Sequence, residues 1–389
     1  MTGVIEIMFW VGAALLIYTY AGYPFVLIAF GRIFARKPAH SEKSVEAPRV
    51  SIVVAAYNEE SVIREKVKAA LELDYPADCL DIWIASDGST DRTEEIVKAL
   101  ETGSDRVHLL SYPRMGKSGV LNKAVEKAGG DIIVFSDANT EFTPGAVTRL
   151  VERFNDERVG CVSGRLIYRN PGTVTSGRAE SLYWRYETAL KKLENALGYV
   201  AGANGAIYAI RRELFKPLKK GTINDDFVIS MRIVEMGYRC VYEEAAVAYE
   251  NVAPDMESEF KRHVRDGAGH YIAVLHLWRL LNPLLGLRAF IYCSHRVLRW
   301  SAPFLLMCLL AANISLAITG KPFYAGLLSV HAVFYAMAFA GLVASRSGAM
   351  PFFLYVPFYF CNLNFALLCG FGKVVAGTQK STWERTERG

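Results

Sequence analysis

The segregation of charge along the chain limits its fold more than any single motif does. Residues 4–30 form an apolar run whose one charge, Glu6, stands near the start, and three more apolar segments follow residue 300, at about 301–319, 323–345 and 350–372. Charged residues, 21% of the 389, concentrate between roughly 31 and 299. About 20 apolar residues carry a helix across a bilayer. The first run is too long for a signal-peptide core and has no basic leader, so an anchor is expected. Arg32, Arg36, Lys37 and Lys43 follow at once, which puts that side of the membrane in the cytoplasm. The expected organisation is a transmembrane anchor over 1–31, a cytoplasmic domain over 48–280, an interfacial helix over 281–300, membrane segments over 301–372 and a cytoplasmic tail over 373–389. Pro357, Asn362 and Asn364 interrupt the last apolar segment, and amides facing lipid are costly. That segment is therefore expected to be interfacial or re-entrant, keeping Lys373, Lys380, Arg385 and Arg388 inside.

The seven cysteines form no CxxC pair and no zinc-ligand spacing, which fits reduced thiols. The net charge of +5 suits anionic headgroups and phosphorylated substrates. No dense basic patch with interleaved aromatics points to nucleic acid.

Within 48–280, strand and helix patterns alternate, the signature of a mostly parallel sheet with helices on its faces. Val50–Ala56 reads as a buried strand, after which Asn58 is expected to cap a helix to about Leu73. Leu80–Ser86 is the next strand and leads into Asp87-Gly-Ser-Thr-Asp-Arg-Thr-Glu94, where Asp91 and Glu94 resemble a capping box. Arg106–Leu110 is a third strand, ahead of Met115-Gly-Lys-Ser-Gly-Val-Leu-Asn122. Ile132–Phe135 reads as a strand buried on both faces, so Asp137 and Asn139 emerge at its C-terminal end, where open α/β sheets bind ligands. Two oxygen-bearing side chains there suit a divalent cation holding a diphosphate; a plain Asx-turn is the alternative.

Gly116-Lys117-Ser118 is not a P-loop, because position 111, where the first glycine belongs, is Ser111, and no GxGxxG occurs. Lys117 is either a surface lysine or an ammonium brought to a phosphate. Gly202-Ala-Asn-Gly-Ala206 is a small-residue loop that allows close approach. Asn224-Asp-Asp226 opens a helix; the carboxylates are either caps or a pair that raise each other's pKa, one serving as general base. Residues 257–280 form a helix with Lys261, Arg262 and Arg265, read either as a basic interfacial face or as a phosphate contact by Arg265.

In order along the chain, Ala56-Tyr-Asn-Glu59, Ser86-Asp-Gly-Ser-Thr-Asp91, Gly116–Asn122, Ser136-Asp-Ala-Asn139, Gly202-Ala-Asn-Gly205 and Asn224-Asp-Asp226 resemble glycosyltransferase family 2, inverting enzymes with a GT-A nucleotide-sugar-binding fold. The membrane frame, with Ser294–Trp300 and the tail Trp383–Arg388, is similar to bacterial exopolysaccharide and poly-N-acetylglucosamine synthases. The resemblance implies that Tyr57 and Glu59 line the nucleoside site, Asp87 meets the base or ribose, and Lys117 lies near the nucleotide. Asp137 would work with Mg²⁺ or Mn²⁺ and the diphosphate, Asn139 standing where the family has a second aspartate. Asn204 would lie near the donor sugar or acceptor, Asp226 would be the catalytic base with Asp225 beside it, and Arg265 would help neutralise the leaving group. The family's processive members carry QxxRW; Arg262-His-Val-Arg-Asp266 keeps only the arginine. The implied activity is transfer of a sugar from a UDP-linked donor to a glycan or lipid-linked acceptor. The alternatives are a processive, secreting synthase and a non-catalytic nucleotide-sugar-binding subunit of a polysaccharide export complex.

Overall fold

The computed structural model describes residues 2–34, 46–169, 176–251, 256–345 and 350–379. Arg36, Lys37, Lys43, Lys380 and the Trp383–Arg388 tail lie outside them.

The N-terminal apolar run is helical: α1 (Thr2–Ile17) passes through a π-turn at Tyr18–Gly22 into α2 (Tyr23–Phe34). The central domain then alternates β1 (Val50–Ala56), α3 (Ile63–Leu71), β2 (Leu80–Asp87), α4 (Thr93–Thr102), β3 (Val107–Tyr112), α5 (Lys117–Lys127) and β4 (Ile132–Asp137). All seven residues of β1 are buried, as a strand covered by helices on both faces requires. Its partners are β2 on one side and β4 on the other, both parallel. The chain moves outward from β1 through β2 to β3, then returns past β1 to β4. That reversal makes a switch point, and strand ends at a switch point form a ligand crevice.

The second half is β5 (Glu141–Phe142), α6 (Ala146–Glu152), β6 (Val159–Arg169), α7 (Ser176–Ala196), β7 (Tyr208–Arg211), α8 (Asp225–Glu235) and β8 (Arg239–Asn251). Among the described residues the eight strands form one sheet in the order β3-β2-β1-β4-β7-β6-β8-β5. It is mixed: β7 runs antiparallel to β4 and β6, and β5 antiparallel to β8.

The C-terminal part comprises α9 (Met256–His276), α10 (Leu287–Ile291), α11 (Leu298–Ala317), α12 (Pro322–Ser345) and α13 (Phe352–Val375). The expected interfacial helix over 281–300 is not one element. Short 3₁₀ turns occupy Trp278–Leu281 and Pro283–Leu285, Gly286 breaks the chain at φ 59, and the helix from Leu287 continues through a π-turn into α11. Among the described residues, Thr2–Ile33, Leu287–Ala317, Pro322–Ser345 and Phe352–Val375 are long and apolar enough to cross a membrane. The last is unbroken despite Pro357, so it does not fold back on itself as a re-entrant segment would. Asn364 satisfies its Nδ2 within the helix by donating to the Phe360 carbonyl at 2.8 Å.

A buried polar cluster fastens these helices to the central domain. Glu194 of α7, fully buried, accepts hydrogen bonds from Tyr23 of α2 at 2.7 Å and from the Ala201 backbone N–H at 3.0 Å, and pairs with His295 Nδ1 at 2.6 Å. Two turns back on the same face of α7, Glu187 pairs with Arg299, with His295 Nε2 at 3.4 Å and with Arg296 at 3.5 Å. Arg296 in turn donates to the Ala201 carbonyl at 2.8 Å. Removing one member of such a cluster strands the others in a low dielectric. Glu194→Ala is expected to destabilise the protein by about 3–5 kcal/mol. Lys192→Ala on the same helix breaks only an exposed pair with Glu244 and is expected to cost less than about 1 kcal/mol. Thermal unfolding of the two variants in detergent checks the ranking.

Candidate active site

The ends of β1, β2 and β4 and the starts of α5 and α8 converge on one cleft. Lys117 opens α5, and its ammonium lies 2.9 Å from Asp137 Oδ1 at the end of β4 and 3.5 Å from Asp225 Oδ1 at the start of α8. Asp226 follows on the same first turn, with Oδ1 accepting from the Phe227 N–H at 2.8 Å. Gly205 shows that Asp226 and Asp137 share the cleft: a Cβ there would stand 3.3 Å from Asp226 Oδ2 and 3.7 Å from Asp137 Oδ2. Asn204 shapes this approach by accepting the Ala206 N–H on its side-chain oxygen at 3.0 Å. Gly202 is obligatory for a different reason, since at φ +98 a Cβ would lie 2.4 Å from the Phe227 ring.

Three carboxylates around one ammonium leave an excess of negative charge in a buried place. Burial works against the charge of Lys117, but Asp137, Asp225 and Asp226 outweigh it and hold the ammonium well above the usual lysine range. Burial also raises Asp225, with Lys117 pulling it back. Asp226 is pushed up to about 7, by burial first and by the charge of Asp225 second. A carboxyl poised near neutral pH can take up a proton during a reaction.

The residues expected on the nucleoside side stand at the neighbouring strand ends. Asp87 is fully buried and already satisfied: Oδ1 accepts from the N–H groups of Met115 at 2.6 Å and Gly116 at 2.9 Å, and Oδ2 from Arg114 at 2.5 Å. Asp87 therefore helps build the loop leading to Lys117. The Arg114 guanidinium lies 3.3 Å over the Tyr57 ring. Glu59 sits in a turn stitched to the one after β2, its N–H donating to Thr93 Oγ1 at 2.8 Å.

Several local expectations give way to tertiary contacts. Asn58 does not cap a helix. It takes the left-handed conformation (φ 57), accepts the Thr90 N–H at 2.8 Å, and α3 begins only at Ile63. Asp91 caps α4 through the Thr93 N–H at 3.0 Å, but Glu94 accepts from Ser111 instead of closing a capping box. Arg265 pairs with its neighbour Asp266 at 3.2 Å, and no contact brings it to Lys117 or Asp137. The aromatic absent at 266 is present elsewhere: Trp300 stacks on His270 with centroids 4.4 Å apart and meets Phe227 edge-on at 5.3 Å. It is buried against α8, not open to a sugar. Arg114 and Glu250, a partner of Asn139 Nδ2 at 3.2 Å, carried no sequence signal, since neither belongs to a motif.

For a divalent cation, Asp137 offers a carboxylate and Asn139, whose nitrogen is turned to Glu250, offers its carbonyl oxygen. Among the described residues no group of three or more His, Cys, Asp or Glu could hold a metal ion. Two protein oxygens fit a small hard cation that arrives with a diphosphate and keeps several waters, not a caged resident ion.

Residues 51–218 match the family model for glycosyl transferase family 2. The chain is similar to a beta-monoglucosyldiacylglycerol synthase of Nostoc sp., 29% identical over 263 residues covering 65% of this chain and 56% of that protein. It is also similar to a poly-beta-1,6-N-acetyl-D-glucosamine synthase of Staphylococcus epidermidis, 24% identical over 259 residues covering 65% of this chain and 61% of that one. The chain thus spans little more than half the length of these relatives. Among solved structures, a mannosyltransferase of Pyrobaculum calidifontis in complex with GDP-Man and Mn²⁺ superposes with a TM-score of 0.69 at 22% identity, covering 95% of this chain and 99% of that one. Residues 51–218 thus match glycosyl transferase family 2, and the chain shares the fold of the Pyrobaculum structure, with long apolar helices on either side of the matched segment.

The raised carboxyl gives a stability test. Asp226 binds its proton more tightly folded than unfolded, so its contribution to stability is full below the ordinary aspartate range and is lost as pH rises through about 7. Asp226→Asn is expected to remove that loss. Its melting temperature should match the wild type near pH ~4 and exceed it at pH ~8. Parallel melting curves across that range would discount the shift.

Proposed function

We propose that the protein is a membrane-embedded inverting glycosyltransferase that moves a sugar from a nucleoside-diphosphate donor to a glycan or lipid-linked acceptor at the cytoplasmic face of the plasma membrane. The observation that carries this reading is the position of Asp226, pushed up to about 7, across a glycine-lined gap from Asp137 and Lys117. An acceptor hydroxyl in that gap would lose its proton to Asp226 as its oxygen attacks the anomeric carbon. The bond from that carbon to the diphosphate breaks on the opposite face, so one displacement inverts the centre. Lys117 stands where the departing diphosphate gathers charge, and fixed charges aimed at developing charge are the strongest catalytic device such a site has. A divalent cation held by Asp137 and Asn139 would supply further neutralisation of the diphosphate.

The membrane setting is supported by the four apolar helices and by their attachment to the loop at Ala201. The Nostoc relative is named for a lipid product and the Staphylococcus relative for a polymer. With Asp266 in place of an aromatic and Trp300 buried, neither position offers an open platform to a growing chain, which favours one or a few transfers per encounter.

The decisive experiment is a screen of nucleotide sugars with the purified protein in nanodiscs, reading nucleotide release and product mass. Asp226→Asn is expected to lower turnover by ~10²–10⁴ while leaving donor affinity nearly intact. Wild-type turnover in that variant would reduce Asp226 to a helix cap. Chelation with EDTA is expected to abolish activity, and Asn139→Asp to lower the metal concentration required, because it adds a charge to the ligand set. Undiminished turnover in metal-free buffer would leave neutralisation to Lys117 alone.

A further inference from the structure

Behind the end of β4 lies a buried charge that the proposed chemistry does not use. Lys66 of α3 is 7% exposed. Its ammonium donates to Ser136 Oγ at 2.6 Å, to the Thr140 carbonyl at 2.7 Å and to Thr140 Oγ1 at 3.2 Å, and sits 4.4 Å from the centroid of the Phe142 ring. None of those three acceptors is charged. Burial drives its pKa down to about 7, with Asp137 and Glu141 opposing that shift. A cation held this way is an expensive filler: an apolar side chain of similar length would occupy the same place with no desolvation penalty.

What the ammonium does is set the direction of two hydroxyl groups. Because it donates to both Ser136 Oγ and Thr140 Oγ1, each hydroxyl must turn its own proton elsewhere. The acceptors in reach are the other hydroxyl, Ser136 Oγ and Thr140 Oγ1 being 2.8 Å apart, the Asp137 carbonyl, 2.9 Å from Thr140 Oγ1 and 3.2 Å from Ser136 Oγ, and the Ala206 carbonyl, at 3.3 Å and 3.4 Å. Asp137 begins the turn that carries Asn139, and Ala206 follows Gly205, which faces Asp226. One ammonium and two hydroxyls thus clamp the turn beneath the donor phosphates to the loop on the acceptor side.

We propose that Lys66 is a positioning residue that fixes the Asp137–Asn139 turn, and with it the place where a metal–diphosphate group binds. This rests on the reading of Asp137 as the carboxylate that meets that group. Groups behind metal ligands change metal affinity by ~10–100-fold when they are removed. Lys66→Met should raise the Mn²⁺ concentration needed for half-maximal donor binding by at least ~10-fold, while the melting temperature stays equal or rises, since a buried unpaired charge has been removed. A residue that only fills space would give the opposite pattern, a lower melting temperature with an unchanged Mn²⁺ requirement.

The test is calorimetric titration of nucleotide sugar at a series of Mn²⁺ concentrations, with melting curves, on the full chain in nanodiscs. Thr140→Val keeps the lysine but removes one relaying hydroxyl. It is expected to shift the Mn²⁺ requirement in the same direction, and its combination with Lys66→Met to be less than additive. If Lys66→Met does not fold, Thr140→Val decides alone, and a wild-type Mn²⁺ requirement in it overturns the proposal. Asp137→Ala is measured alongside. Wild-type donor and Mn²⁺ binding in that variant refutes the reading of Asp137 itself. Loss of binding there, with Lys66→Met indistinguishable from wild type, refutes only the role of Lys66.

Discussion

The position of Lys117 among Asp137, Asp225 and Asp226 governs the rest of the site. One half-buried ammonium cannot compensate three carboxylates, so the charge is shared unevenly. Asp137 at 2.9 Å and Asp225 at 3.5 Å take most of it, and Asp226 is left with a raised affinity for protons. The same imbalance makes the cleft inhospitable to a diphosphate unless more positive charge comes with it, which is what a cation sharing Asp137 and Asn139 would bring. The raised proton affinity of Asp226 and the room for a cation come from one shortage of positive charge.

Keeping these groups together demands much of the fold. Asp137 ends a central parallel strand, Lys117 starts the helix before it, and Asp225 starts a helix almost 90 residues further on. They meet because α5 and α8 both begin over the same sheet edge, at the switch beside β1. Asp87 belongs to this scaffolding, since its carboxylate gathers the Met115 and Gly116 N–H groups and so fixes where α5 begins. On the other side, the 201–206 loop is held from outside the domain. Glu194, His295 and Arg296 grip Ala201 from both its N–H and its carbonyl. The apolar helices are thereby part of the device that sets Gly205 against Asp226, not only an anchor for a self-sufficient domain.

Where sequence and structure diverge, the cause is the choice of partner. Asn58 and Glu94 have the residue types of helix caps, but Asn58 bonds to Thr90 of the neighbouring turn and Glu94 to Ser111 of β3 instead. Arg265 has the type of a phosphate ligand and turns to Asp266. Asn139 was legible as a neutral ligand, yet nothing local showed that Glu250, more than 100 residues away, orients its amide. Nothing local sets Lys66 apart from other helical lysines, because its acceptors come from a strand and a turn about 70 residues later.

The sequence alone determined the segregation into apolar ends and a charged middle, the alternation of strands and helices, and the oxygen-bearing residues at the strand and helix ends. Each of these is written in periodicity or in the residue types that terminate an element, and such signals act over a few residues. Tertiary structure alone decided that the sheet becomes mixed after β4, that Phe352–Val375 is an unbroken helix, and that burial and Asp225 push Asp226 up to about 7. Those outcomes depend on distances between groups far apart in the chain and on how much water is excluded between them. No local pattern encodes either quantity.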